Sequence, residues 1–104
     1  MAEWVKVCSD SDVPEGEIRA YTLPDGVVIA VYNVDGNFHA TDDTCSHGEA
    51  SLSEDGVLDG CEVECSWHFG RFNVETGMPC ASPCSIPIRA YNVRVIDGYV
   101  NVEC

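Results

Sequence analysis

The amino-acid sequence predicts an all-β protein, in which a lobe poor in strands interrupts an antiparallel β-sandwich or barrel-like base. Short runs rich in Val, Ile and Tyr alternate with Asp-Gly or Pro, as strands and tight turns do. No window keeps the 3.6-residue apolar period of an amphipathic helix. With 104 residues we expect one domain over residues 1–104, with base strands in about 1–43 and 86–104 and the lobe in about 44–85.

Asp-Gly dipeptides place the turns of the base. Asp25-Gly26, Asp35-Gly36 and Asp97-Gly98 each lie between two apolar runs, and such pairs supply the positive φ angles that a tight hairpin turn needs. Residues 91–95 alternate apolar and polar side chains, as a half-buried strand does. The strands predicted around these turns are residues 17–23, 27–34, 38–41, 88–96 and 99–103.

The middle third of the chain has a different composition. It is rich in Gly, Ser, Cys and Pro, and offers strand candidates only at residues 62–65 and 71–74. Such a segment buries little apolar surface by itself, so a bound metal centre would be needed to stabilise it. We therefore expect the inserted lobe to bind a metal cluster.

The charge of the chain restricts its partners. Eighteen acidic residues against five basic ones give a net charge of −13, which disfavours nucleic acid and anionic membranes and favours a partner with a basic face. No Lys or Arg lies between Arg19 and Arg71, a window with ten acids. These acids form either a solvated surface or a docking face.

The termini and the cysteines indicate a cytoplasmic protein. The first residues lack the basic and apolar regions of an export signal, and no apolar run is long enough to cross a bilayer. Seven cysteines in that compartment indicate metal binding or free thiols rather than a disulfide framework.

Two Cys/His pairs carry the metal chemistry: Cys45-Ser46-His47 and Cys65-Ser66-Trp67-His68. Together they offer two thiolates and two imidazoles, a set that suits iron–sulfur or zinc chemistry. In one class of [2Fe–2S] centre, two histidines replace two cysteines on one iron. Two thiolates neutralise an oxidised core of charge about +2, whereas four leave about −2, so the mixed centre is easier to reduce.

Other metal sites fit the spacing less well. Structural zinc usually binds Cys-x₂₋₄-Cys with His-x₃₋₅-His, whereas each pair here is mixed and no Cys-x-x-Cys occurs. An all-cysteine ferredoxin needs a different run of cysteines. A further alternative, that the four residues are unrelated core or surface residues, is disfavoured because both pairs lie in Gly-containing loops.

Two segments resemble a known family beyond these four residues. Residues 43–48 (DTCSHG) and 64–73 (ECSWHFGRFN) are similar to the ligand loops of Rieske ferredoxins, which serve bacterial multicomponent aromatic-ring-hydroxylating dioxygenases. Further similar segments are residues 12–17, 33–36, 76–79 and 81–84, the last two leading into a proline-containing loop that covers the cluster in that family. The resemblance implies the Rieske iron–sulfur fold and one [2Fe–2S] cluster.

The resemblance also implies a role for each ligand. Cys45 and Cys65 would hold the inner iron, while His47 and His68 would hold the outer iron near the surface. Rieske proteins of respiratory and photosynthetic complexes carry a disulfide where this chain has Ala50 and Trp67. They also place hydroxyl groups near the cluster sulfurs, where this chain has Gly70 and Phe72. We therefore expect a low-potential centre, because hydrogen bonds to the sulfurs raise the potential.

The function that the resemblance implies is electron transfer rather than catalysis. The chain would be a monomeric one-electron carrier from a flavin-dependent, NAD(P)H-oxidising ferredoxin reductase to a terminal oxygenase. A Rieske oxygenase would need a long mononuclear-iron domain, for which 104 residues leave no room. Two alternatives are a Rieske-like small subunit of another oxidoreductase, such as nitrite reductase, and a structural zinc-binding interaction module.

The remaining cysteines and the third histidine are expected to be structural. Cys80 and Cys84 lie four residues apart near the predicted cluster, where a disulfide or a third ligand pair is conceivable; free thiols are the favoured interpretation. His39 lies on a predicted strand and is not counted as a ligand. The other cysteines outside the ligand pairs are Cys8, Cys61 and Cys104.

Overall fold

The computed structural model describes residues 4–44, 51–65, 70–81 and 88–103. Within these ranges the chain is almost entirely antiparallel β-structure, which confirms the all-β prediction. A 3₁₀ turn at Asp10–Asp12 and a single-turn helix, α1, at Leu52–Asp55 are its helical segments. The strands are β1 Trp4–Ser9, β2 Ile18–Thr22, β3 Val28–Val34, β4 Asn37–Asp42, β5 Gly56–Asp59, β6 Glu62–Cys65, β7 Arg71–Asn73, β8 Pro79–Ala81, β9 Ala90–Ile96 and β10 Tyr99–Glu103.

Six strands form the base sheet in the order β1-β10-β9-β4-β3-β2, and every neighbouring pair is antiparallel. The two halves of this sheet meet at β4 and β9, where only Ala40 pairs with Tyr91 and Thr41 with Ala90. Such a short seam lets the two halves turn toward each other, as twisted sheets do. Both halves thereby cover one apolar core.

The predicted Asp-Gly hairpins are confirmed for β3–β4 and β9–β10. Asp35 and Gly36 have φ angles of 52° and 89°, and Asp97 and Gly98 have 51° and 80°. Positive φ at both central residues is the signature of the type I′ turn, whose twist matches that of the flanking strands. The turn chemistry is local, so the sequence alone predicts the register of these hairpins.

Strand β3 is the shared wall between two cores. Its side chains alternate between faces: Ile29 and Val31 face the core of the base, whereas Ala30, Tyr32 and Val34 face the lobe. The core of the base also contains Cys8, Val13, Leu23, Ala40, Tyr91, Val100 and Val102. The second core contains Leu52, Val63, Cys65, Phe72, Val74 and Ile88, all contributed by segments that follow β4.

The lobe contains a four-stranded sheet in the order β5-β6-β7-β8. The sequence predicts β6 and β7 but not β5, β8 or α1. Each of these elements has only three or four residues, too few for a periodic pattern, and β8 begins with Pro79. These segments become regular because their neighbours provide hydrogen-bond partners. Within the described ranges, no helix is long and apolar enough to cross a membrane.

Candidate metal centre

Cys65 is the predicted ligand that the structure describes, and it lies at the end of β6. Its side chain is fully buried in the second core, on the same face of the sheet as Val63 and Phe72. The Cys65 N–H donates to the Gly70 carbonyl at 2.8 Å, so the residues on either side of segment 66–69 are hydrogen-bonded to each other. His68 belongs to that segment. Cys45, His47 and His68 are outside the described residues.

The first predicted ligand loop has an equally short span between its ends. Thr44 and Ser51 form an isolated antiparallel bridge, and the Leu52 N–H donates to the Asp43 carbonyl at 2.7 Å. The residues before and after segment 45–50 therefore lie next to each other. Each Cys/His pair is thus framed by backbone hydrogen bonds between the residues around it.

The Asp43 carboxylate reinforces the end of the first loop. Asp43 is buried, and its Oδ2 accepts a hydrogen bond from Ser51 Oγ at 2.6 Å, while Oδ1 accepts from the Ser53 N–H at 2.8 Å. Ser51 is also the N-cap of α1, since its Oγ accepts from the Glu54 N–H at 3.3 Å. One carboxylate therefore joins the segment before the loop to the helix after it.

Helix α1 connects the first loop to the strand that carries Cys65. Gly56 follows the helix directly and pairs with Cys65 across β5 and β6. A Cβ atom on Gly56 would collide with the Leu52 carbonyl oxygen and lie 2.9 Å from Val63 Cγ2. Because real Cβ atoms do not approach so closely, only glycine allows this contact. The end of the first loop is thereby held beside the start of the second.

The residues that flank a third segment, 82–87, also lie beside the lobe sheet. Strand β8 ends at Ala81, which pairs with Arg71 just after the second loop. The Ile88 N–H donates to the Gly77 carbonyl at 2.9 Å, so the chain returns to the β7–β8 turn. The segment predicted to lead into a proline-containing loop, residues 81–84, leaves the described ranges after Ala81, and residues 82–87, which include Cys84, are outside them.

The ion pairs of Arg71 are a feature of this lobe that the sequence analysis does not predict, although Arg71 lies in the family-like segment 64–73. Its guanidinium contacts three carboxylates: Asp59 at 2.5 Å, Glu62 at 3.0 Å and Glu64 at 3.4 Å. The hydrogen bond that it donates to Asp59, together with the charge of all three acids, raises the pKa of Arg71 above its usual value. Glu64 is the cross-strand neighbour of Arg71, which sequence spacing could have indicated once the hairpin was known, whereas Asp59 belongs to the unpredicted β5.

The one predicted ligand that the structure describes, Cys65, is placed where it could hold a metal cluster. Cys65 offers a sulfur atom in a water-excluded core, and iron–sulfur clusters are held by such thiolates. Among the described residues, no group of three or more His, Cys, Asp or Glu side chains could hold a metal ion. A metal centre at Cys65 therefore needs ligands from outside the described ranges, and the other three predicted ligands all lie there. A bound [2Fe–2S] cluster would supply reversible one-electron chemistry.

The described cysteines outside the ligand set are free thiols: Cys8, Cys61 and Cys80. Cys8 is buried in the base, and burial raises the pKa of its thiol. Cys61 and Cys80 are exposed on the lobe, and Cys80 Sγ lies 3.6 Å from the Met78 carbonyl oxygen. His39 lies on β4, opposite Tyr32 of β3, in the base rather than the lobe.

Comparison with known proteins defines the class. Residues 3–92 match the family described as the Rieske [2Fe-2S] domain. The chain therefore belongs to the Rieske [2Fe–2S] family, and the cofactor is a Rieske-type [2Fe–2S] cluster. Membership of this family removes the structural zinc module as an alternative.

The relatives define the kind of Rieske protein. The chain is 56% identical over 103 residues to the ferredoxin component of the p-cumate 2,3-dioxygenase system of Pseudomonas putida, covering 99% of this chain and 87% of the relative. It superposes on a ferredoxin of Sphingomonas yanoikuyae B1 with a TM-score of 0.91 and 39% identity, covering 98% and 99% of the two chains.

A third comparison involves a solved complex. This chain is 50% identical, with a TM-score of 0.88, to a chain in the structure of reduced oxygenase with oxidised ferredoxin of carbazole 1,9a-dioxygenase, covering 95% of this chain and 91% of that one. The predictions of the Rieske fold and of a ferredoxin are confirmed. The chain is an electron carrier and not the catalytic component.

Proposed function

We propose that this ferredoxin carries one electron at a time from a flavin-dependent, NAD(P)H-oxidising reductase to the terminal oxygenase of an aromatic-ring-hydroxylating dioxygenase system. One observation carries the proposal: backbone hydrogen bonds join the residues that flank each of the two Cys/His segments of the lobe. The oxygenase partner is supported by the carbazole 1,9a-dioxygenase relative, whose structure is a ferredoxin–oxygenase complex. The reductase is inferred from the chemistry, because a carrier needs an electron donor.

The proposed ligands are Cys45 and Cys65 for the inner iron and His47 and His68 for the outer iron. The full burial of Cys65 supports an inner position for its sulfur. Backbone hydrogen bonds join the residues that flank the segment of His47 and those that flank the segment of His68. This arrangement suits two loops that hold one metal centre between them. Two neutral imidazoles in place of thiolates leave a centre that accepts an electron more readily.

Acids beside these loops form the proposed docking surface. Asp59, Glu62 and Glu64 lie on the lobe sheet, and Glu64 directly precedes Cys65. Only one cation, Arg71, lies among them within the described residues. We propose a small and transient interface with basic patches on the partners, because weak redox encounters use small interfaces and charge steering.

Three further features belong to the same proposal: one domain over residues 1–104, with the base and lobe boundaries predicted from the sequence; a monomeric carrier; and a cytoplasmic location. The separation of the described strands into a six-stranded and a four-stranded sheet supports the division into base and lobe. The net charge of −13 supports a monomer, since identical copies repel each other.

The ligand assignment is tested by exchanging cysteines. Cys65→Ser should abolish the [2Fe–2S] absorption and the EPR signal of the reduced protein, because the inner iron loses a thiolate. Cys80→Ser, which removes an exposed free thiol of the same lobe, should keep both signals and two irons per chain. Iron analysis and EPR on both purified variants measure the outcome. A colourless wild-type protein that binds a single zinc, or a Cys65→Ser variant that keeps its full EPR signal, would contradict the assignment.

A further inference from the structure

Arg71 has a position that the electron-carrier role does not by itself explain. All five basic residues of the chain lie in the described ranges, and three of them stack on aromatic rings of the base: Lys6 on Tyr99, Arg89 on Tyr91 and Arg94 on Trp4. Arg19, on β2, pairs with Glu17 just before that strand. Arg71 is therefore the single cation in residues 44–85, which contain seven acids: Glu49, Glu54, Asp55, Asp59, Glu62, Glu64 and Glu75.

The position of Arg71 in the sheet connects it to the second ligand loop. It directly follows Gly70, whose carbonyl closes that loop onto Cys65, and it pairs across strands with Glu64, which directly precedes Cys65. Side chains alternate between the faces of a strand, so Arg71 and Glu64 lie on the outer face while Cys65 and Phe72 lie on the core face. The guanidinium thus spans β5, β6 and β7 across the sheet from the buried thiol.

The contacts of Arg71 are more than one ordinary surface ion pair. Its side chain is only 27% exposed and reaches three carboxylates at once. Networks of several charges hold their geometry better than isolated exposed pairs, whose contribution is small. Glu62 Oε1 lies 3.0 Å from Nε of Arg71. This nitrogen is buried and has no hydrogen-bond partner in the described part of the chain, so its polar interaction is the ion pair with Glu62.

We propose that Arg71 is a positioning residue that raises the reduction potential of the cluster and holds the acidic strands β5 and β6 together with β7. This inference rests on the cluster lying at the loops proposed above. Reduction adds one negative charge to the cluster, so a nearby fixed cation favours the reduced state. Removing the cation changes the local charge of Arg71 and its three carboxylate partners from −2 to −3, which favours the oxidised state.

The test is a redox titration of the holoprotein at low ionic strength, where screening is weakest. Arg71→Gln should lower the midpoint potential, because it removes a positive charge near the cluster. Arg71→Lys, which keeps the charge but not the forked geometry, should stay near the wild-type potential and lose iron faster to a chelator. Arg94→Gln is the matched control, since it removes the same charge from β9 of the base and should leave the potential unchanged.

A double variant separates charge from structure. Arg71→Gln combined with Glu62→Gln keeps the net charge of the wild type and should bring the potential back toward the wild-type value. Glu62→Gln alone, which leaves Arg71 in place, should raise the potential because it removes a negative charge. This variant replaces Arg71→Gln as the test if Arg71→Gln does not fold.

Two outcomes would overturn the inference: a shift for Arg71→Gln no larger than that for Arg94→Gln, or a double variant that stays at the potential of Arg71→Gln. Glu62→Gln with an unchanged potential would have the same meaning. If the wild-type protein holds no [2Fe–2S] cluster, the proposed ligand assignment falls first, and the spectrum of the wild type shows this before any variant is compared.

Discussion

At the scale of single residues, the described buried polar groups are paired, and Asp43 secures the segment next to the first proposed ligand loop. Among the described residues, the buried polar side chains are Asn33, Thr41 and Asp43, and each has a hydrogen-bond partner. Thr41 Oγ1 lies 2.7 Å from the hydroxyl of Tyr32, whose pKa is raised, first of all by burial. Buried polar groups are costly unless they are paired, so the contacts of Asp43 with Ser51 and Ser53 favour one arrangement of the chain between β4 and α1.

Asp43→Ala is the residue-scale prediction. It leaves the Ser53 N–H and the Ser51 hydroxyl without their acceptor at a buried site, so the free energy of unfolding should fall by about 1–3 kcal/mol. Urea unfolding of the holoprotein measures the change, and chelator-driven iron loss should become faster. Asp25→Ala is the matched control: it removes an exposed carboxylate that also accepts from a backbone N–H, that of Val27 at 3.0 Å, and should cost far less. Equal losses in the two variants would argue against a special role for Asp43.

At the scale of elements, glycines decide how closely the lobe strands and turns approach each other. Gly77, in the turn between β7 and β8, has a φ of 78°, and a Cβ atom there would collide with the Ile88 carbonyl oxygen. The Gly77 carbonyl itself accepts from the Ile88 N–H. The return of the chain after residues 82–87 therefore depends on a backbone contact that no other residue type allows.

Gly77→Ala should destabilise the protein through both strain and collision. Positive φ alone costs an ordinary residue about 1–2 kcal/mol, and the contact with Ile88 adds to this. Gly98→Ala is the matched control, because Gly98 has a φ of 80° and no heavy atom within 4 Å of the point that a Cβ would occupy. Thermal unfolding should show a lower Tm for Gly77→Ala than for Gly98→Ala. Identical Tm values would mean that the Gly77–Ile88 contact contributes nothing.

At the scale of the whole molecule, the basic residues are distributed unevenly. The base holds four of the five cations, three of them stacked on aromatic rings, whereas the lobe has a single cation within a set of acids. Stacked cations remain charged while covering aromatic surface. Counting the acids as well, residues 44–85 carry a net charge of −6 in 42 residues and the rest of the chain −7 in 62. A partner with a basic face would therefore meet a somewhat higher density of negative charge on the lobe, where the proposed cluster loops begin and end.

Salt dependence of electron transfer is the prediction at this scale. The second-order rate of reduction by the partner reductase should fall about tenfold or more as ionic strength rises from low to physiological, because steering is screened. Glu64→Gln should lower the rate at low salt and flatten its salt dependence. Asp97→Asn, an equal charge change at the exposed β9–β10 turn of the base, is the control and should behave like the wild type. A rate that does not respond to salt would show that steering is not operating.

Much of the base could be predicted from the sequence because its determinants are local. Asp35-Gly36 and Asp97-Gly98 specify type I′ turns, and the flanking Val and Ile runs specify the strands. The proposed ligand pairs stand out in the sequence for a similar reason, since each brings Cys and His onto one short segment. Strand β1 was not predicted individually, although its pairing with β10 completes the sheet edge.

Residue types and short spacings are thus enough to predict the all-β class, the tight hairpins, the acidic character and the chemistry of the proposed metal donors. The folded structure alone reveals that Gly56 lies against Leu52, that Asp43 ties the first proposed loop to α1, and that Arg71 contacts acids from β5 and β6. These contacts join segments that are separated along the chain, so no local pattern indicates them. Short lobe strands carry too little local preference to predict their neighbours, and packing against β3 and mutual hydrogen bonding select their partners.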